Sequence, residues 1–508
     1  MTMHSRPLLL LFLCSCLVLP GCRPETPDGV LRMGLASAPR NLDPRLATDA
    51  TSERINRLLY RRLTEFDARS LPIPSLATWE RLAPTHYRFT LGGWGRSFSD
   101  GSRLTSEDVL ATYESILDPA TASPHRSLLE IIREIRTDGP DRVDFRLREP
   151  DPLFPAYLGI GILPAAQIRS GHPFSQRPVG SGPFRFESWP QAGKLSLMRR
   201  RDNQSLELLT VKDPNVRVMK LLRGEIQLLQ NDLSPELIGY LRGRDEVDVS
   251  TADGVNFSYL GFNLEDRHAG ILAVRQALAH AIDRQEILHY LFQGGGRAAV
   301  ALFPPEHWAG AEDLAAPGYD PQRARELLAA AGYDVGSPLQ LSFKTSSDPF
   351  RIRLATVIQA QLARVGVEVQ VQSYDWGTFF GDIKTGRFQL YGLTWVGIRT
   401  PDIFRYVFHS ASIPPDGANR GRYRSRQIDW LIETARAESD LVKQAELYRR
   451  IQALLLKDLP YVPLWYEDQV YAARREISGY RLAPDGNYDA LAEVEVGSVS
   501  QHPQVFSR

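Results

Sequence analysis

Two stretches of strict alternation mark the first third of the chain. Tyr87, Phe89 and Leu91 are apolar between polar neighbours, and so are Val143, Phe145 and Leu147. That period of two predicts a pair of half-buried strands. Between them, Thr105-Ser106-Glu107-Asp108 has the spacing of a capping box, in which a hydroxyl and a carboxylate serve the free amides of a helix start. A helix is expected from there towards Leu117, with Asp100-Gly101 as the turn before it. The pattern defines a small mixed unit over residues 68–178.

The second half has a different rhythm. Asp320-Pro321 is an N-cap followed by proline at the first helical position, where a missing N–H costs nothing. Ala324, Leu327, Leu328 and Ala331 then share one helical face, and Gly332 stops it. Leu339, Leu341 and Phe343 predict a strand. Leu354, Ile358, Leu362 and Val365 predict a helix ending at Gly366, and Val367, Val369 and Val371 alternate with Glu368, Gln370 and Gln372 as a further strand. Strand, helix and strand in that order argue for an α/β unit. There is no internal repeat.

The N-terminal pattern points to export. Leu8 to Leu19 is an apolar run behind His4 and Arg6, too short to span a bilayer and suited to a signal core. Leu19-Pro20-Gly21-Cys22 resembles a bacterial lipobox. The expectation is a signal peptide over 1–21 and a lipid on Cys22, holding the protein to a membrane outside the cytoplasm, on the periplasmic side in a Gram-negative host. Cys14 and Cys16 fall inside the signal, so Cys22 is the one mature cysteine and an internal disulfide is excluded. No later run approaches the length of a membrane helix.

Composition narrows the partners. Sixty basic and 60 acidic side chains cancel, which removes any bulk attraction to nucleic acid. The densest basic cluster, Arg199-Arg200-Arg201, reads as a solvated turn. With 508 residues, two or three lobes are expected rather than one core.

Catalytic motifs are missing: no phosphate loop ending in Lys-Ser/Thr, no His-Glu-x-x-His, no Gly-x-Ser-x-Gly. Gly180-Ser181-Gly182 runs into Pro183, which has no amide to offer a phosphate. His280 and His289 are nine apart and point in different directions if one helix carries both. No catalytic residue, metal ligand or cofactor is assigned.

The ordered blocks carry a family resemblance instead. Asn41-Leu42-Asp43-Pro44, Pro74-Ser75-Leu76-Ala77-Thr78-Trp79, Phe98-Ser99-Asp100-Gly101 with Leu104-Thr105-Ser106-Glu107-Asp108-Val109, and Pro178-Val179-Gly180-Ser181-Gly182-Pro183-Phe184 come in sequence. Leu260-Gly261-Phe262-Asn263, Ala281-Ile282-Asp283-Arg284, Tyr319-Asp320-Pro321 and Asp458-Leu459-Pro460-Tyr461-Val462-Pro463-Leu464 continue it. The chain resembles the family 5 extracellular solute-binding proteins, the peptide- and nickel-binding class that serves ABC importers.

The resemblance implies a three-lobed α/β fold of the periplasmic-binding-protein type. Lobe I is expected from 22–67, 179–268 and 476–508, lobe II from 68–178, and lobe III from 269–475. It also implies a non-enzymatic receptor that holds an oligopeptide or peptide-like solute in a hinged cleft and passes it to an ABC permease and ATPase. A nickel complex, haem or an oligosaccharide is an alternative ligand, and a signalling lipoprotein an alternative role. Trp395-Val396-Gly397 lies where relatives place a ligand-contacting strand. An Asp that holds the ligand's α-amine in many peptide binders is Ile398 here, followed by Arg399, with Asp402 as a substitute. Tyr374 and Trp376 are candidates for an aromatic wall, and Ala36 and Ser37, after the first strand, for the facing edge.

Overall fold

The computed structural model describes residues 29–497, apart from 192 and 335. The signal segment and Cys22 lie outside them. The alternating stretches are strands: His86–Leu91 and Arg142–Leu147 pair antiparallel at the centre of a four-stranded sheet flanked by Ala77–Ala83 and Ile132–Asp138. Tyr87, Phe89, Val143 and Phe145 are buried. The helix Ser106–Leu117 covers them, with the Tyr113 ring edge-on to Phe145 at 5.6 Å. Its start is the expected capping box, the Thr105 N–H donating to the Asp108 carboxylate at 2.7 Å.

The strand–helix–strand unit is also present. Leu339–Ser346 and Val367–Tyr374 pair in parallel, joined by the helix Pro349–Ala363, whose Leu354, Ile358 and Leu362 are buried. Asp320 caps Pro321–Ala330 by accepting the Arg323 N–H at 2.9 Å. These strands form one end of an eleven-stranded sheet. At its other end, Val30–Leu35 lies parallel between Ser205–Thr210 and Leu228–Gln230, with Lys194–Arg199 and Phe184–Gln191 beyond.

Two long antiparallel strands, Val247–Phe262 and Tyr461–Arg474, run through both ends and make the sheet continuous. Their flanks differ. Leu228–Gln230 pairs beside Tyr471 to Ala473, whereas Leu390–Trp395 pairs beside Phe257 to Phe262. Between these stretches the ladder stops after Ala252↔Gln469 and resumes at Asn256↔Glu467. Three residues thus face one, a bulge that bends and weakens the pairing. Gly254 sits in the gap, where an added Cβ would lie 2.0 Å from the Glu467 carbonyl oxygen, so only glycine permits this approach.

Three local readings resolve differently or more finely. His280 and His289 lie on two successive helices, Leu272–Ala281 and Arg284–Tyr290, not on one. Arg199 is not solvated: it is 4% exposed, paired with Asp202 at 2.7 Å, and donates to the carbonyls of Leu491, Ala492 and Val494. The C-terminal segment folds over it and needs its donors. Gly180-Ser181-Gly182 is a packing element, because Cβ atoms at Gly180 and Gly182 would meet the Leu59 and Leu58 carbonyls at 2.0 and 2.3 Å. Among the described residues no helix is long and apolar enough to cross a membrane.

Candidate functional site

A cleft of about 570 Å³ is walled by distant parts of the chain: the helix Ala50–Leu59 and the loop before it, the strand Thr64–Phe66, residues of the inserted unit such as His125 and Tyr157, the loop after Leu390–Trp395, and Asp485 with Asn487. That volume lies within the ~300–1,000 Å³ range of small-molecule sites. Asp49 starts the helix by accepting the Ser52 N–H at 2.9 Å. Glu53, Arg54 and Arg57 then line the cleft while Ile55, Leu58 and Leu59 enter the core. One amphipathic helix thus supplies both the wall and its support.

The polar floor is a compact ion cluster. Arg57 donates through Nε to Asp489 at 2.9 Å and through Nη2 to Glu65 at 2.9 Å. Arg62 also pairs with Glu65 and lies 3.9 Å from Asp489. Burial alone would raise the Asp489 carboxyl. The hydrogen bonds from Arg57 and the charges of Arg57, Arg62 and Arg399 outweigh it and hold Asp489 below the usual carboxylate range. Burial likewise lowers His125, whose Nε2 is buried without a partner.

Arg399 completes the cluster from the other side. Its guanidinium pairs with Asp485 and lies 5.0 Å over the Phe66 ring. Burial, helped by the like charges of Arg57 and Arg62, brings it down to about 10, so it stays charged at neutral pH. Its backbone is fixed by His307, whose Nε2 meets the Arg399 carbonyl oxygen at 2.9 Å while Nδ1 accepts the Ala309 N–H at 3.1 Å. That pattern selects the neutral tautomer with the proton on Nε2.

The structure brings only some of the sequence candidates together. Gly397 and Arg399 line the cleft, with Val396 between Trp395 and Gly397. Trp395 stands behind them, half-buried, its ring 6.4 Å from Tyr259 and under the Arg420 guanidinium at 4.6 Å. Ile398 is half-buried against the core. Asp402 faces Arg436 at 3.5 Å, and burial raises its carboxyl. Tyr374 closes its strand below the Lys344 ammonium, 5.2 Å away, and Trp376, 58% exposed, stacks on Phe380 at 5.4 Å. Ala36 is half-buried, and Ser37 shares a 3.0 Å hydrogen bond with Thr51. None of these five, Ala36, Ser37, Tyr374, Trp376 and Asp402, lines the cleft.

Sequence reasoning missed Arg57, Arg62, Glu65, Asp485 and Asp489. A signal was there: Arg54, Arg57, Arg61 and Arg62 crowd around the apolar Leu58-Leu59-Tyr60, and arginines beside a buried turn need partners.

Residues 72–413 match the family described as bacterial extracellular solute-binding proteins, family 5 Middle. The dipeptide-binding protein of Escherichia coli (strain K12) is 26% identical over 494 residues, covering 89% of this chain and 92% of its own. Among solved structures, the periplasmic binding protein DppA from Helicobacter pylori with the peptide STSA superposes with a TM-score of 0.78 at 26% identity, over 92% of this chain and 98% of that one. NikZ from Campylobacter jejuni with Ni(L-His) has the same fold, with a TM-score of 0.81 at 23% identity over 92% and 100%. The α/β fold and its cleft thus define a periplasmic-type binding protein. The chain belongs to the family 5 bacterial extracellular solute-binding proteins, and it is a binding protein, not an enzyme.

Proposed function

We propose that this chain is the substrate-binding component of an ABC importer, anchored by lipid at Cys22 and taking a peptide or peptide-like solute into the cleft. The observation that carries the reading is the cleft itself. It draws its walls from both ends of a sheet joined by only two continuous strands, the arrangement a hinge needs. The peptide ligand is supported by the likeness to the dipeptide-binding protein of Escherichia coli and to the Helicobacter pylori protein solved with the peptide STSA. The segments 22–67, 179–268 and 476–508 are read as one lobe, 269–475 as the second and 68–178 as an insert. The insert's core is contiguous with Phe379, Phe404 and Tyr448 of the second lobe, so the two move together in this reading. Trp395 backs the cleft loop, and Gly397 and Arg399 touch the solute.

A thermal-shift screen with tripeptides, nickel–histidine, haem and oligosaccharides tests this. A ligand at a hundredfold excess over its Kd adds about 2.7 kcal/mol of stability. Tripeptides are expected to raise the Tm, and Thr48→Trp, a substitution on the exposed cleft rim, is expected to abolish the rise. A rise from haem or sugar alone would reassign the ligand.

The anchor has its own test. Cys22→Ser removes the acyl acceptor, and stable attachment needs more than one lipid chain. Wild type is expected in the membrane fraction and the variant released or left as precursor. Equal membrane partitioning of a mature-length variant would refute the anchor.

A further inference from the structure

The cleft cluster holds three guanidiniums, Arg57, Arg62 and Arg399, against three carboxylates, Glu65, Asp489 and Asp485. The pairs differ in what they join. Arg57, Arg62 and Glu65 come from one stretch of chain, and Asp489 packs against the helix that carries Arg57, so these contacts persist whether the cleft is open or shut. Arg399 and Asp485 belong to opposite walls. The Arg399 loop continues the strand Leu390–Trp395, whereas Asp485 precedes Gly486, whose carbonyl oxygen accepts from Gln230 Nε2 at 2.8 Å at the end of the strand Leu228–Gln230. Theirs is the ion pair in the cluster that opening must break.

Asp485 is built to let go. Its Oδ1 accepts the Asn487 N–H at 3.1 Å and Asn487 Nδ2 at 2.8 Å, while Oδ2 alone meets Arg399. Released, it keeps both Asn487 bonds. Arg399 keeps the Phe66 ring, and from across the cleft it faces the like charges of Arg57 and Arg62 against the two remaining carboxylates, Glu65 and Asp489. A buried unpaired guanidinium is costly, so the closed form needs an anion at this place.

We infer that the solute bound in this cleft carries a carboxylate that takes the place of Asp485 on the Arg399 guanidinium. This rests on the cleft being the solute site. A carboxylate fits because the resident group is one, because its two coplanar acceptor oxygens suit the planar fork of guanidinium donors, and because loss of Asp485 leaves one net positive charge in the cluster, which one monovalent group neutralises. A phosphate dianion would overfill it. In the absence of solute Asp485 acts as the internal competitor.

The test is calorimetric titration of the full protein with tri-alanine, tri-alanine amide, glutarate and inorganic phosphate, repeated with Arg399→Gln and Asp485→Asn. Tri-alanine is expected to bind roughly ten-fold more tightly than its amide, the worth of a charge-assisted contact. That ratio falls to near one in Arg399→Gln, and Asp485→Asn tightens the carboxylate probes and not the amide. If Arg399→Gln fails to fold by its melting curve, Arg399→Met gives the same comparison, since it removes the charge and the fork while keeping the packing of the apolar stem. Equal binding of tri-alanine and its amide overturns the inference and leaves the peptide reading standing. Arg399-dependent glutarate binding without any peptide binding does the reverse. Tighter binding of phosphate, or silence from all four probes, overturns the inference.

Discussion

His307 holds Arg399 by the main chain: its Nε2 hydrogen meets the Arg399 carbonyl oxygen over 2.9 Å, with the imidazole stacked on Phe303 at 3.8 Å. Arg399 therefore reaches across the cleft from a loop clamped by a histidine that must stay neutral to keep both of its hydrogen bonds.

The clamp has a pH signature. Burial, only partly offset by the Arg399 carbonyl, brings His307 down from 6.5 to about 4. The unfolded chain takes up a proton below 6.5 and the folded chain only near 4, so stability falls as pH drops through that window. The linkage amounts to about 3 kcal/mol. His307→Gln is expected to be less stable at pH 7 and to lose less on acidification from pH 7 to 4.5. Urea unfolding at the two pH values measures both, and an unchanged acid loss in the variant would contradict the assignment.

Asp151 titrates with the opposite sign. It is 4% exposed, accepts from Tyr157 at 2.8 Å and from the Leu153 N–H at 2.8 Å, and shares its surroundings with Asp402 and Arg436. Burial pushes its carboxyl up to about 6 from 3.8. The folded state then binds the proton more tightly, and its contribution is lost as pH rises from about 4 to 6, again about 3 kcal/mol. Asp151→Asn should abolish that loss. Comparing the pH slopes of wild type, Asp151→Asn and His307→Gln separates two effects that offset each other in the native protein.

Local pattern made much of the fold legible. The alternation at Val367 to Val371, the face from Leu354 to Val365 and the cap at Thr105 are each decided by residues a few positions apart, and each became the expected element. The site was less accessible because its partners are remote in sequence. Arg57 and Asp489 are 432 positions apart, and Arg199 is buried by carbonyls 292 to 295 positions away. No periodicity encodes such pairs. Of the candidates read from the sequence, Gly397 and Arg399 line this cleft, whereas Trp395, Tyr374 and Trp376 do not.

The bulge between the long strands gives a mechanical prediction. Gly254→Val puts a branched Cβ where the Glu467 carbonyl oxygen leaves 2.0 Å. Forcing such an approach costs roughly 1–3 kcal/mol. The urea midpoint is expected to fall accordingly, and the decrease in radius of gyration on ligand binding to shrink. An unchanged midpoint would show that the chain crosses this point without a close contact.

Native mass spectrometry of the protein isolated without denaturation tests the central claim most directly. The account predicts one small, carboxylate-bearing solute per wild-type chain, released on unfolding and absent from Thr48→Trp isolated in the same way. A solute retained by Thr48→Trp, or a wild type that neither carries one nor acquires one from a peptide digest, would contradict it.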